Sequence, residues 1–222
     1  EECVNWRVSL SSEVLPTIRE YPRQSTTVID AYVGPTMQRY LERLSNRLKK
    51  RGIETPQVFL MQSNGGLMRI TIGARFPNQT LLSGPAGGVV AGEELSRITG
   101  YTNITTLDMG GTSTDIAMIS EGRADETNEG KLAGQDIGTP MLQVRTLGAG
   151  GGTIAWIGPD GLLKVGPESA GASPGPACYG RGGLDATVTD ADIVLGYINP
   201  DNFLGGEVSL DAQRSKEVIK EM

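Results

Sequence analysis

The stretch 83–115, "SGPAGGVVAGEELSRITGYTNITTLDMGGTSTD", constrains the fold more than any other part of the chain. Its first half reads as a helix with Ser83 as N-cap, yet it carries Gly84, Gly87, Gly88 and Gly92. Each glycine costs about 0.5–1 kcal/mol against alanine inside a helix. A helix that accepts this cost needs a thin face. Gly84, Gly88, Ala91 and Gly92 fall on one side, where another backbone can come close. The plainer alternative is a loop followed by a shorter helix from Val89. Next comes a strand, "ITTLDM" (104–109), a turn at Gly110-Gly111, and a second strand, "TDIAMIS" (114–120). A helix running straight into a strand pair is an α/β pattern.

The turn between those strands can be read in two ways. Glycines let backbone N–H groups converge, and converging N–H groups bind anions. Thr112, Ser113 and Thr114 add hydroxyls. Asp108 and Asp115, which flank the turn, repel a bare phosphate, but they make sense with a magnesium ion or its waters in between. The other reading is a β-hairpin with a polar tip.

Glycine is unusually abundant, 31 of 222 residues, and has no fixed period, which excludes collagen and repeat architectures. A second cluster, "GAGGGT" (148–153), is either a flexible turn between strands or another loop against a ligand, with Gly150, Gly151 and Gly152 as its candidate contacts. "SNGG" (63–66) follows a strand and reads as an Asn-Gly turn before a cleft lining.

Charge and composition narrow the function. Net charge is -6, which argues against a nucleic-acid or anionic-membrane surface. No apolar run approaches a membrane span. The chain has no histidine, so it holds no Ser-His-Asp or Cys-His machinery and no His-ligated metal. A metal here is hard and oxygen-bound. Cys3 and Cys178 form neither a disulfide framework nor a zinc pattern, which suggests a reduced, cytoplasmic protein. Cys178, without a histidine partner, reads as an inert buried thiol.

Elsewhere the elements alternate. Residues 1–34 read as irregular and partly extended, with 25–33 open to strand or helix. "PTMQRYLERLSNRLKKRG" (35–52) is the clearest helix, with Pro35 in its first turn and Gly52 at its stop. Strands are expected at 57–62 and 141–147, a polar, turn-rich stretch at 121–140, and a hairpin at 153–167 around Pro159-Asp160-Gly161. A long loop follows at 172–183. Helices close the chain at 189–198, capped by Thr189, and within 208–222. Asp190 and Asp192 can reach a metal, but helix capping accounts for them. Trp156 and Tyr179 read as packing residues. The chain ends inside a helical pattern, as if cut from something larger.

The order of small-residue helix, strand, D-x-G-G-T-x-x-D and strand resembles the actin, Hsp70 and sugar-kinase superfamily of ATPases. The strings "MQSNGGL", "LLSGPAGGVVAG", "TLDMGGTSTDIAMI", "GAGGGTIAW", "VGPESAGASPGPACYGRGG" and "TVTDADIVLGYINPDNFLGG" run collinearly through the chain and resemble the hydantoinase A/5-oxoprolinase family. "SAGASPGPACYGRGG" is far more specific than a glycine motif. The resemblance implies an incomplete ribonuclease H-like (actin/Hsp70-type ATPase) lobe. Residues 1–34 would be the tail of a preceding N-terminal region and 35–222 a partial hydantoinase A-type ATPase domain.

It also implies ATP-dependent opening of a cyclic amide. ATP would phosphorylate the ring carbonyl oxygen, and water would then attack the activated carbon. Gly110, Gly111 and Thr112, with Ser113 and Thr114, would hold the phosphates. Asp108 and Asp115 would hold magnesium or orient the attacking group. Gly150, Gly151 and Gly152 would lie against nucleotide or substrate. A hydantoinase B-type subunit is the implied partner. Relatives that serve ATP-dependent ketone carboxylases offer a second reading, and an interaction module that kept the fold but lost catalysis a third. A dinucleotide-binding enzyme is disfavoured, since no G-x-G-x-x-G follows a strand with an acidic residue at the expected distance.

Three departures stand out. Gln143 and Arg145 occupy a strand where the family often has aspartate or histidine, and Ser12 stands where histidine is frequent. The family's first D-x-G-G-T loop has no counterpart here, so half of the phosphate clamp is expected elsewhere.

Overall fold

The structure, a computed structural model, describes residues 6–55, 57–132 and 134–222. In chain order the helices are α1 (Ser11–Val14), α2 (Glu20–Lys50), α3 (Ile70–Arg75), α4 (Ser83–Thr99), α5 (Val188–Leu195) and α6 (Ala212–Glu221). The strands are β1 (Phe59–Met61), β2 (Leu67–Arg69), β3 (Ile104–Met109), β4 (Thr114–Ser120), β5 (Arg123–Ala124), β6 (Glu126–Thr127), β7 (Gly130–Leu132), β8 (Gln135–Ile137), β9 (Met141–Leu142), β10 (Arg145–Leu147), β11 (Thr153–Ile157) and β12 (Leu163–Ser169). The architecture is mixed α/β, as the alternating pattern implied.

The chain divides into two units. The first holds the residues up to Thr106 and Ala117–Val144; the second holds Leu107–Ile116 and Arg145–Met222. The division passes through the β3–β4 hairpin, so its base belongs to the first unit and its tip to the second.

In the first unit, α4 packs its buried stripe, Ala86, Val89, Gly92 and Ser96, over the base of the hairpin. Ala86 and Val89 form a core with Ala117 and Ile119 of β4 and Leu142 of β9. Gly92 is the point of closest approach: a Cβ there would lie 2.6 Å from Ile119 Cδ1 and 2.7 Å from Thr106 Cγ2. Gly84 and Gly88 have no atom within 4 Å of such a position. The thin face is thus used at one glycine among the described residues, because the buried stripe is rotated away from the other two. Ser83 is the first helical residue rather than the cap, and Leu82 before it is left-handed (φ 56°).

The α2 helix departs most from expectation. It starts at Glu20 and passes straight through Pro35, where the sequence pointed to a helix start. A proline inside a helix forfeits a backbone hydrogen bond and costs about 3 kcal/mol. Side chains far away in sequence outweigh that cost. Buried Asp30 accepts hydrogen bonds from Arg7 Nη2 (3.1 Å), Ser9 Oγ (2.6 Å) and the Asn78 N–H (3.3 Å). Thr26 Oγ1 accepts from the Gly138 N–H at 2.9 Å. Arg7 lies across Gly34, where a Cβ would collide with its guanidinium. The expected boundary between 34 and 35 therefore falls inside a helix. The "SNGG" segment is the turn of the β1–β2 hairpin, with Asn64 Oδ1 accepting the Gly66 N–H at 3.0 Å.

In the second unit, β11 and β12 form the expected hairpin, with a register shift between Thr153 and Ala155. The 141–147 strand is broken into β9 and β10 at Gln143-Val144. The α5 helix is capped by Thr187, not Thr189, through a reciprocal box with Asp190. Asp190 is fully buried and accepts five hydrogen bonds: from the N–H groups of Ala177, Cys178 and Thr187, and from the hydroxyls of Thr187 and Ser215. Burial alone pushes its carboxyl up. The hydrogen bonds from Thr187, Ser215 and Cys178 outweigh that and hold it below the usual carboxylate range.

This carboxylate joins α5, α6 and the Ala177–Tyr179 turn. Asp190→Asn turns an amide NH₂ toward donors that need an acceptor, and is expected to destabilise the protein by about 3 kcal/mol. The pKa is lowered in the folded state, so the stabilisation is present above the unfolded value of about 4 and is lost as pH falls through the folded value. Urea denaturation of wild type and variant as a function of pH measures both effects; their curves should converge in acid.

Candidate functional site

The tip of the β3–β4 hairpin carries the residues that the sequence singled out. The Gly110 N–H donates to Ser113 O at 2.8 Å, which closes a two-residue turn on Gly111 and Thr112. Counting back along the antiparallel strands from that pair sets Asp108 opposite Asp115. Thr106 Oγ1 to Ala117 O, at 3.5 Å, fits the same register. Directly opposed residues share a face, with Cβ atoms about 5 Å apart. Two like charges so placed destabilise a sheet unless a cation sits between them. Among the described residues neither aspartate is in an ion pair.

The amides at the turn are uncommitted. Gly111, Thr112 and Ser113 donate no backbone N–H to an acceptor among the described residues. Gly111 and Thr112 are exposed, and Ser113 is half-buried. The tip therefore presents a short run of donors next to two unpaired carboxylates. Oxygen donors of this kind suit magnesium, which keeps most of its waters and takes one or two carboxylates alongside phosphate oxygens. Among the described residues there is no cluster of three or more acidic, cysteine or histidine side chains able to cage a metal alone.

Thr114 has a different place from its neighbours. It is buried, and its Oγ1 donates to Ala149 O at 2.5 Å. Its hydroxyl is spent on the second glycine loop.

That second loop lies directly behind the first. The Gly151 N–H donates to Gly110 O at 2.9 Å, and the Gly152 N–H to Gly111 O at 2.7 Å. The Gly150 N–H donates to Thr153 Oγ1 at 2.6 Å. All three amides that could have faced a ligand are bound within the protein. The contact is backbone on backbone: a Cβ on Gly150 would lie 2.6 Å from Gly110 O, 2.7 Å from Ser113 N and 2.8 Å from Thr112 C. The loop is in turn held from behind. Thr189 donates both its N–H and its hydroxyl to Gly151 O, each at 2.8 Å, and the Ala170 N–H donates to Gly152 O at 2.8 Å.

Sequence reasoning missed Thr146, Thr153 and Thr189. Thr146 on β10 pairs with Asp115 across the strands, and its Oγ1 donates to Asp115 Oδ1 at 2.6 Å. Thr153 is fully buried. The available signal was a threonine close to the 148–152 glycines for Thr146 and Thr153, which is too common to read alone, while Thr189 read as a helix cap. Asp192 and Arg145 make no side-chain hydrogen bond or ion pair among the described residues, and the Gln143 N–H donates to Asp125 O at 2.8 Å.

Other candidates are structural. Burial, and then the charge of Asp190, push the Cys178 thiol up to about 12, so it is inert as a nucleophile near neutral pH. Cys3 lies outside the described residues. Trp156 Nε1 donates to Gly166 O at 2.9 Å, and Tyr179 packs against Phe203. A cavity of about 850 Å³ in the first unit, lined by Leu15, Ile18, Pro22 and Ile137 among others, contains none of the predicted site residues. No helix among the described residues is long and apolar enough to cross a membrane.

The chain is similar to known proteins along most of its length. The caprolactamase subunit alpha of Pseudomonas jessenii is 45% identical over 208 residues, covering 94% of this chain and 30% of that protein. The 5-oxoprolinase of Saccharomyces cerevisiae is 42% identical over 88% of this chain and 15% of its own length. The nucleotide-free structure of acetone carboxylase, described as acting in ATP-dependent acetone carboxylation, superposes with a TM-score of 0.80 at 36% identity, over 96% of this chain and 30% of that one. The chain thus spans less than a third of the length of each of these relatives. The hydantoinase/oxoprolinase family profile matches residues 23–222, and the chain belongs to that family.

Proposed function

We propose that this chain is part of a longer ATP-dependent enzyme that opens a cyclic amide. The observation that carries the reading is the hairpin tip, where uncommitted amides at 111–113 lie beside two opposed, unpaired carboxylates. The tip is one wall of a phosphate site. The amides of Gly111, Thr112 and Ser113 hold phosphate oxygens, with the hydroxyls of Thr112 and Ser113 in support. Asp108 and Asp115 hold magnesium, which supplies charge neutralisation at the transferring phosphoryl group.

Gly150, Gly151 and Gly152 act at one remove. The Gly151 and Gly152 amides position the carbonyls of Gly110 and Gly111, and so fix the direction of the neighbouring N–H groups, while Gly150 packs its backbone against the turn. Thr114 belongs to this brace. Preorganised donors of this kind need no rearrangement as charge develops on the phosphoryl group.

With the ring carbonyl oxygen as phosphoryl acceptor, a poor electrophile becomes an activated imidate. Water adds to its carbon and the C–N bond breaks, which frees the amine and leaves an acyl phosphate. A second water then hydrolyses the acyl phosphate to carboxylate and phosphate. The caprolactamase and oxoprolinase relatives favour a cyclic amide as substrate. The acetone carboxylase relative supports a second reading, in which an enolate oxygen is phosphorylated and bicarbonate is consumed. The subunit names of the relatives support a partner, for which a hydantoinase B-type subunit is the proposal.

The test is phosphate release by the full-length protein with its partner subunit, given Mg-ATP and a panel of lactams, hydantoins, 5-oxoproline and ketones. Release with a cyclic amide, unaffected by bicarbonate, is expected. Release only with a ketone plus bicarbonate would establish the carboxylase reading, and no release with any compound would favour a non-catalytic module.

A further inference from the structure

We propose that Thr146 is a positioning residue that orients the Asp115 carboxylate for magnesium, so that the two aspartates of the tip are not equivalent. The inference rests on the phosphate-site reading above. Its basis is one contact and one asymmetry.

The contact is cross-strand. β10 pairs antiparallel with β4, and Thr146 stands opposite Asp115 in that register. The hydroxyl donates to Asp115 Oδ1 at 2.6 Å. A hydrogen bond to a charged acceptor is stronger than one between neutral groups. It commits Oδ1 and fixes the plane of the carboxylate. Oδ2 accepts no hydrogen bond among the described residues and remains open to a cation.

The asymmetry lies in Asp108. It is exposed, and its carboxylate accepts no hydrogen bond among the described residues. One carboxylate is therefore held in advance, and the other is free to rotate. Holding a ligand before the ion arrives removes part of the entropy that binding would otherwise cost. Asp115 is the preorganised ligand, and Asp108 adjusts to the bound ion or its waters. Groups that hydrogen-bond a metal's carboxylate ligands commonly contribute 10–100-fold to affinity or activity.

The test compares Thr146→Val, which keeps the shape and removes the hydroxyl, with Thr146→Ser, which keeps the hydroxyl. In the full-length protein with ADP present, Mn²⁺ binding is measured by electron paramagnetic resonance. KM for Mg-ATP and kcat are measured alongside. T146V should weaken Mn²⁺ binding about 10-fold or more and raise KM for Mg-ATP, while T146S stays close to wild type. Thr146 is exposed, so neither variant should shift the urea midpoint. Mn²⁺ binding by T146V equal to wild type would overturn the proposal, as would T146S as weak as T146V. Asp115→Ala separates the two levels. If it abolishes Mn²⁺ binding while T146V does not alter it, only the positioning role fails. If it leaves Mn²⁺ binding and turnover intact, the phosphate-site reading fails with it.

Discussion

Asp108→Ala and Asp115→Ala are each expected to lower substrate-dependent ATP turnover by the full-length protein on the order of 10³-fold. The reason is the register of the hairpin. Opposed carboxylates on one face, with no partner cation among the described residues, make a poor structural element and a good oxygen pair for magnesium. Neither aspartate is buried, so alanine at either position should leave the fold intact. Removing one of two like charges should even raise the urea midpoint slightly. Lost activity with undiminished stability is the signature of a site held for function. The measurement is phosphate release alongside urea denaturation. Turnover within a few-fold of wild type in both variants would remove the pair from the chemistry.

Gly150→Ala is the second large effect, at a residue whose own amide is bound within the protein. Its Cβ would meet three backbone atoms of the Gly110–Ser113 turn inside 3 Å, and backbone does not yield as a flexible side chain does. One loop must move away from the other. The N–H groups at 111–113 then point elsewhere, and a displacement of about 1 Å can cost 10²-fold in rate. Overpacking of this kind also destabilises by about 1–3 kcal/mol. The test therefore measures kcat/KM at a temperature where circular dichroism shows the variant fully folded. A fall of about 10²-fold is expected there. Activity reduced only in proportion to the folded fraction would mean that the second loop supports the fold and not the geometry of the first.

These two positions mark how much of the site could be read from the residues. The Asp108–Asp115 motif was legible because it is local: a strand, two glycines and a strand make a hairpin, and a hairpin of that length opposes its two aspartates. The second glycine loop was not legible in the same way. A glycine that bares its amide to a ligand and a glycine that lets another backbone approach have the same sequence signature. Only their hydrogen-bond partners distinguish them, and for Gly151 and Gly152 those lie about forty residues away, at Gly110 and Gly111. The α5 cap shows the same limit at short range. Thr187 and Thr189 are both good N-cap residues. Asp190 selects Thr187 because its carboxylate must also meet donors from the Ala177–Tyr179 turn and from α6, and Thr189 is left free to hold Gly151.

By itself, then, the sequence determined the elements whose signals are local. These were α4, the β3–β4 and β11–β12 hairpins, the absence of histidine chemistry, and the family to which its collinear motifs belong. The tertiary structure decided what depends on partners distant in the chain. It carried α2 through Pro35, because Arg7, Ser9 and Asn78 converge on Asp30 and outweigh the broken hydrogen bond. It used one glycine of α4 for close packing. It also bound the amides of Gly150, Gly151 and Gly152, which the sequence left open between a flexible turn and a ligand loop, within the protein, two of them to the turn that carries the uncommitted amides. The physical reason is common to all three. A backbone group is satisfied by whichever partner the fold brings to it, and local sequence does not specify that partner.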